Sequence, residues 1–233
     1  MLPFIQKQKK LFGSEGKQND YEFLKLRLKD LPDNVDILDI GTGKNPFRIL
    51  TDRFKNLITL DSVAFEGIKV VHDFNKGLPF ENQKFDCVIL ANTLEHSPKP
   101  AYLLKEIQRV LKRGGVLIGT VPFLLHIHQE PYDFYRFTRF ALENLLREAE
   151  FNEIEILELG SPFPIYQNFQ SRFFGHLQNT ILSKNRLINS LTKLVVKIIW
   201  KLQRIILKIM NPIYHKCRVD DLMVQSYGFS AKK

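Results

Sequence analysis

The chain has 233 residues, 44% hydrophobic and 25% charged, which fits one α/β domain with an elaboration, or at most two small domains, and excludes a disordered or fibrous chain. Two cysteines, Cys87 and Cys217, are too few for a disulfide framework, and Cys87 lies in an apolar run where a buried thiol is expected. The net charge of +9 is local: residues 161–219 hold ten Lys or Arg and no acid, which leaves 24 basic and 25 acidic residues elsewhere.

Met1 to Phe12 has a Lys-rich patch but no apolar core or small-residue cleavage site, so a cytoplasmic chain without a secretory signal is expected. Tyr21, Leu24, Leu28 and Leu31 recur at helical spacing, predicting a helix over 20–31 that Pro32 breaks. Val35 to Ile40 reads as a strand running into Gly41-Thr-Gly43, with a helix able to begin at Pro46. Further strands are predicted at 57–60, 68–71 and 85–90. A helix follows over 100–111, stopped by Arg113-Gly-Gly115. Then come a strand at 116–121, a helix over 138–149 capped by Thr138, a strand at 154–159 and a last strand at 222–229. This alternation predicts a parallel sheet covered by helices on both faces. The expected organisation is a helical lead-in over 1–34, a core over 35–160, a basic helical insertion over 161–221, and the last strand and tail over 222–233.

A strand, a Gly-x-Gly turn and a helix together build a ligand site. The glycines allow a tight turn and close approach to the backbone, and amides at the helix N-terminus attract anions. The third glycine of a dinucleotide fingerprint would fall at 46, where this chain has Pro46. Asp61 ends the second strand, where a carboxylate can accept both hydroxyls of a ribose. Asp73-Phe74 follows the third, where an acid can accept from an adenine amino group and a ring can stack. The bland alternatives are a tight turn for the glycines and a cap for Asp61.

Four stretches carry a resemblance to the class I S-adenosylmethionine-dependent methyltransferases. They are Val35-Asp-Ile-Leu-Asp-Ile-Gly-Thr-Gly43, Leu60-Asp61, Asp73 through Leu78-Pro-Phe80 to the strand-turn Phe85 to His96, and Glu106 to Gly115. The resemblance spans about 35–159 and departs from the common pattern at Asn45, where many members have glycine. It implies a Rossmann-like α/β fold with a mostly parallel seven-stranded sheet, an antiparallel last strand and S-adenosylmethionine as cofactor. Gly41, Thr42 and Gly43, with Asp39, would hold the methionine part. Asp61 and Ser62 would hold the ribose, and Asp73 and Phe74 the adenine. Asn92 would lie beside the methionyl part and the acceptor. A narrower resemblance, over Val121 to Thr138, is to methyltransferases found with polysaccharide and glycolipid assembly. In that group His, Pro, Asp, Tyr and Arg recur at the positions of His128, Pro131, Asp133, Tyr135 and Arg136. This implies O-methylation of a sugar or glycolipid intermediate.

Moving a methyl group to a hydroxyl requires in-line positioning and a proton acceptor, a role suited to histidine. His128 is the first candidate and His96 the second, with Asp133 orienting a histidine or holding a sugar hydroxyl. Arg136 suits an acceptor phosphate or carboxylate, and Tyr135 a sugar face. The competing readings are a backbone-bonded loop histidine for His128, a helix cap for His96, a simple ion pair of Asp133 with Arg136, and core packing for Tyr132, Phe134 and Tyr135. No metal site is expected, because His126-Ile-His128 has no obvious third ligand.

In 187–210 the cations Lys193, Lys197, Lys201, Arg204 and Lys208 fall on one stripe of a helix whose remaining surface is mainly apolar. Five cations argue against a membrane span and suit a helix lying on an anionic membrane surface. Packing on the protein's own sheet, a homodimer interface and nucleic-acid binding are the alternatives, the last disfavoured by sparse aromatics. Two other functions stay open: an RNA or protein methyltransferase using the basic segment, and a non-catalytic cofactor-binding scaffold.

Overall fold

The structure is a computed structural model, and it describes residues 15–43, 47–160 and 224–233 together with scattered helical positions between 165 and 209. The chain divides into two compact units, residues 1–159 with 225–233, and residues 160–224.

In the first unit, helix α1 (Glu15–Leu28) leads into β1 (Asp36–Ile40), the short helix α2 (Arg48–Thr51) and β2 (Asn56–Asp61). Next come β3 (Val70–Val71), β4 (Phe85–Ala91), α3 (Pro100–Val110), β5 (Leu111–Pro122), α4 (Arg139–Glu148), β6 (Asn152–Leu159) and β7 (Ser226–Lys232). The sheet order is β3-β2-β1-β4-β5-β7-β6. Strands β1 to β5 pair in parallel, and β7 runs antiparallel between β5 and β6. The alternation predicts the parallel part of this sheet; the seven strands and the antiparallel last strand are those that the resemblance implies. The strand order reverses between β1 and β4, the crevice where open α/β sheets bind ligands.

The central strands have no wet face. Ile37, Leu38, Ile40, Val88 and Leu90 are fully buried, as expected of a parallel sheet covered on both sides. Cys87 is a buried free thiol among them. Pro100 opens α3 in its first turn, and its apolar side puts Leu103, Leu104, Ile107 and Val110 into the core. Thr138 caps α4 as expected, its hydroxyl accepting from the amide of Ala141.

Several boundaries differ from the sequence reading: β3 begins at Val70 where 68 was expected, and β6 at Asn152 where 154 was expected. Helix α1 starts at Glu15 and ends at Leu28, so it is displaced toward the N-terminus from 20–31. Strand β5 begins at Leu111, because Leu111 pairs with Phe85 before the register shifts and resumes at Cys87 with Val116; the Gly-Gly pair lies within a strand and does not precede one. Strand β7 begins at Ser226, with residues 222–223 outside the described residues. The helix start at Pro46 also falls outside them.

In the second unit, Leu194, Val195, Ile198, Leu202, Ile205, Ile206 and Ile209 are exposed, and so is Lys201. The other four cations of the expected stripe lie outside the described residues. Among the described residues no helix is long and apolar enough to cross a membrane.

Candidate active site

The glycine turn closes β1 onto its neighbours. Gly41 (φ 71°) and Gly43 (φ 51°) both occupy the left-handed region that glycine tolerates. A Cβ on Gly41 would stand 2.3 Å from Thr93 Oγ1, so the turn packs directly on the residue pair leaving β4. The Gly41 amide donates to the Leu60 carbonyl, and the Thr42 hydroxyl to the Asp39 carbonyl. Asp61 Oδ2 accepts from the amide of Gly43 at 2.9 Å, and Oδ1 from that of Val63. Asp61 thus joins the end of β2 to the turn after β1. Ser62 beside it is exposed. Asp39 is buried and its Oδ1 has no hydrogen-bond partner; burial pushes its pKa up to about 7.

Asp73 and Phe74 part company. Phe74 is buried in the fold, while the Asp73 carboxylate caps the short 3-10 turn Phe74–Lys76 and stays partly exposed. Burial tends to raise the Asp73 pKa, but hydrogen bonds from Asn75 and the charge of Lys76 outweigh it, and the carboxyl is held below its ordinary value. Asn92 adopts φ 48° directly after β4, and its amide side chain donates to Asp20 Oδ2. The other Asp20 oxygen accepts from Ser226, so α1, β4 and β7 meet there. Nothing in the sequence flags Asp20 or Ser226, because each gains meaning only from a partner far along the chain.

Beyond Asn92 the chain makes a 3-10 turn, Leu94–His96. Glu95 is fully buried, and neither carboxylate oxygen has a hydrogen-bond partner. Burial first, and then the negative charges of Asp20 and Asp133, raise its pKa to about 8 against the attraction of Arg136. His96 Nδ1 lies 2.6 Å from the Tyr132 carbonyl, and its Nε2 lies 3.7 Å from Glu95 Oε1. The loop after β5 folds back here, with the amides of Phe134 and Tyr135 donating to the Glu95 carbonyl. That fold brings His128 Nε2 to 4.0 Å from Glu95 Oε1. The rings of His96 and His128 meet edge to face with centroids 5.0 Å apart. Burial holds the His128 pKa below its usual value, against the pull of Asp133.

Asp133 and Arg136 form the loop's clamp. Arg136 meets Asp133 through both terminal nitrogens, at 2.6 and 2.8 Å. It also donates to the carbonyls of Leu125, His126 and Tyr135, so every guanidinium nitrogen is engaged within the loop. The Asp133 carboxyl lies well below the ordinary range because of this pairing. Of the two readings offered by the sequence, the geometry gives Arg136 the ion pair; binding an acceptor phosphate would require breaking one of these contacts. Core packing does not hold for the aromatic residues: Tyr132, Phe134 and Tyr135 are all exposed. Glu95 is the residue that sequence reasoning passed over. The one available signal was a lone acid directly after Ala91 to Leu94.

Residues 38–119 match the family described as methyltransferase domain. This stretch carries the glycine turn, Asp61, Asp73 and Glu95-His96. Over that stretch the chain is similar to methyltransferase domains. The tRNA U34 carboxymethyltransferase of Aliarcobacter butzleri is 28% identical over 168 residues, covering 66% of this chain and 51% of that protein. The chain therefore spans about half the length of that relative. A methyltransferase structure from Archaeoglobus fulgidus covers 99% of both chains with a TM-score of 0.54 at 19% identity. Phosphoethanolamine N-methyltransferase 2 of Haemonchus contortus, solved with S-adenosyl-L-methionine, covers 93% of this chain and 52% of its own with a TM-score of 0.54 at 19% identity. At 19% identity these two likenesses concern the fold alone.

Proposed function

We propose that the enzyme transfers a methyl group from S-adenosylmethionine to a hydroxyl of a sugar or glycolipid intermediate. The observation that carries this reading is the cluster of Glu95, His96, His128 and Asp133 one turn beyond the glycine-turn contact of Thr93. Gly41, Thr42 and Gly43, with Asp39 and Asn92, hold the methionine part of the cofactor. Asp61 and Ser62 hold the ribose, and Asp73 with Phe74 borders the adenine. The positive-φ turn and the unpartnered Asp39 oxygen fit a ligand lying against this backbone.

S-adenosylmethionine supplies an electrophilic methyl carbon and retains the electron pair of the broken carbon–sulfur bond on sulfur. The acceptor oxygen forms the new bond to carbon and releases its proton. His128, its pKa held down, is the first candidate to take that proton, with His96 second. Asp133 Oδ2 lies 3.3 Å from His128 Nδ1 and orients the ring. The exposed Tyr135, with Tyr132 and Phe134, offers a platform for a sugar face, and Arg136 keeps the loop in shape around it.

The second unit would bring the enzyme to its acceptor as a cytoplasmic protein held on an anionic membrane. Its exposed Leu194, Ile198, Leu202, Ile205 and Ile209 repeat the spacing of the cations one residue before each, which suits an interfacial helix over 187–210. Co-sedimentation with anionic liposomes is the test; equal binding by a chain with all five cations changed to Gln would refute it, and self-association without lipid would make this face a homodimer interface.

RNA is the second reading, favoured by the tRNA-modifying relative and the basic stretch 161–219. Radiolabelled methyl transfer to lipid-linked sugar extract and to total tRNA, run side by side, separates them. Label in the sugar lipid, lost with His128→Ala, supports the first. Label in tRNA alone overturns it.

A further inference from the structure

We propose that Glu95, His96 and His128 bind one first-row divalent metal ion. The three residues offer a carboxylate oxygen and two imidazole nitrogens that all lie within 4.8 Å of one another. In the sequence the loop histidines His126 and His128 have no obvious third ligand beside them. The fold supplies two others from the turn after β4, Glu95 and His96.

Hydrogen placement makes the case. A carbonyl oxygen only accepts, so His96 Nδ1 carries the hydrogen it gives to Tyr132, and a neutral His96 presents a bare lone pair at Nε2. That buried Nε2 has no hydrogen-bond partner, and it faces Glu95 Oε1 at 3.7 Å. With the Glu95 carboxyl ionised, two acceptors face each other in the interior without a donor between them. A separation of 3.7 Å is too long for a hydrogen bond. It is close to the roughly 3.4 Å between two ligands that share one tetrahedral ion at about 2.1 Å each. His128 Nε2 joins the same oxygen at 4.0 Å.

His96 has the supporting contact of a metal-bound histidine, whose second nitrogen usually meets a carbonyl or carboxylate. Its partner is the Tyr132 carbonyl. At His128 Nδ1 the hydrogen-bond contact is Arg136 Nη2 at 3.3 Å; Asp133 Oδ2 stands at the same distance and accepts from the His128 amide. Charge balance points the same way. Arg136 is paired with Asp133, so Glu95 has no cation of its own, and a carboxylate stripped of water and hydrogen bonds is costly. Two imidazoles and one carboxylate select zinc, cobalt, iron or manganese over magnesium or calcium, whose sites are built from oxygen. Three protein ligands leave a coordination position open. With an ion bound, Glu95, His96 and His128 would hold it, an acceptor hydroxyl at the open position would become more acidic, and its proton would pass to water and not to either histidine.

The inference is tested without turnover, so it stands or falls apart from the methyl-transfer reading. Full-length protein treated with EDTA is dialysed and titrated with Co²⁺, followed by visible absorption, and then with competing Zn²⁺. One equivalent of Co²⁺ with ligand-field bands, displaced by Zn²⁺, is expected. Affinity should fall at least about tenfold in Glu95→Gln and in His128→Ala, and remain unchanged in His72→Ala. Undisturbed melting in EDTA certifies that each variant is folded. His128→Ala, in a partly exposed loop, serves if the buried Glu95→Gln does not fold. Absence of Co²⁺ binding, or equal binding by wild type and folded variants, overturns the proposal.

Discussion

The amide of Gly43 donates to Asp61 Oδ2 at 2.9 Å, so the residue that ends β2 also closes the turn that ends β1. A charged acceptor on a backbone amide contributes about 1.5–3 kcal/mol. The same carboxylate is the proposed ribose ligand, so turn geometry and cofactor affinity depend on one side chain. Asp61→Ala should weaken S-adenosylmethionine binding by at least about tenfold. Calorimetric titration of wild type and variant checks this, and matched affinities would remove Asp61 from the site.

Gly41 has no room for a side chain. A Cβ would stand 2.3 Å from Thr93 Oγ1 and 2.4 Å from Thr93 Cγ2, at a φ of 71°. Gly41→Ala should cost about 2–4 kcal/mol through overpacking and backbone strain together, seen as a lower melting temperature. Thr93→Ala in the same chain removes the two nearest atoms and should restore part of the loss. The rescue is partial because Thr93 Cβ remains 2.9 Å away.

Asp39 makes stability depend on pH. Burial raises its pKa from 3.8 to about 7 in the folded protein, so the native state binds a proton that the unfolded chain has released between those values. Its contribution to stability is therefore intact below about pH 3.8 and is lost as pH rises through about 7. Asp39→Asn removes that slope. The variant should gain melting temperature over wild type at pH 8 and show little gain near pH 4. A gain independent of pH would assign the effect to packing.

The Asp133–Arg136 pair holds the loop after β5. The Asp133 side chain is only 3% exposed, so Arg136→Ala leaves a buried carboxylate without its partner, a loss of about 3–5 kcal/mol. Arg136→Lys should recover little, since an ammonium cannot reproduce the two-pronged contact or reach the carbonyls of Leu125, His126 and Tyr135 at once. Thermal melts measure the loss, and limited proteolysis should cut first within 123–137.

Much of this protein was determined locally by its sequence. The buried strands announced themselves through unbroken apolar runs such as Cys87 to Leu90, because a parallel sheet covered on both faces has no polar side to alternate with. Gly41 and Gly43 marked the turn because few other residues tolerate its dihedral angles, and Thr138 marked a helix start because its hydroxyl satisfies a free amide nearby. These signals need only neighbours in the chain. The tertiary structure decided what depends on distant partners. Strand β5 starts at Leu111 because Phe85 pairs with it, and the ends of β7 follow from its register against β5 and β6. Asn92 is held by Asp20 across 72 residues. Glu95, in sequence a lone acid after an apolar strand, becomes the centre of the site only when the loop after β5 returns to it and sets His128 beside His96. Backbone propensity acts over a few residues, whereas a buried carboxylate acquires its chemistry from whatever the fold packs around it.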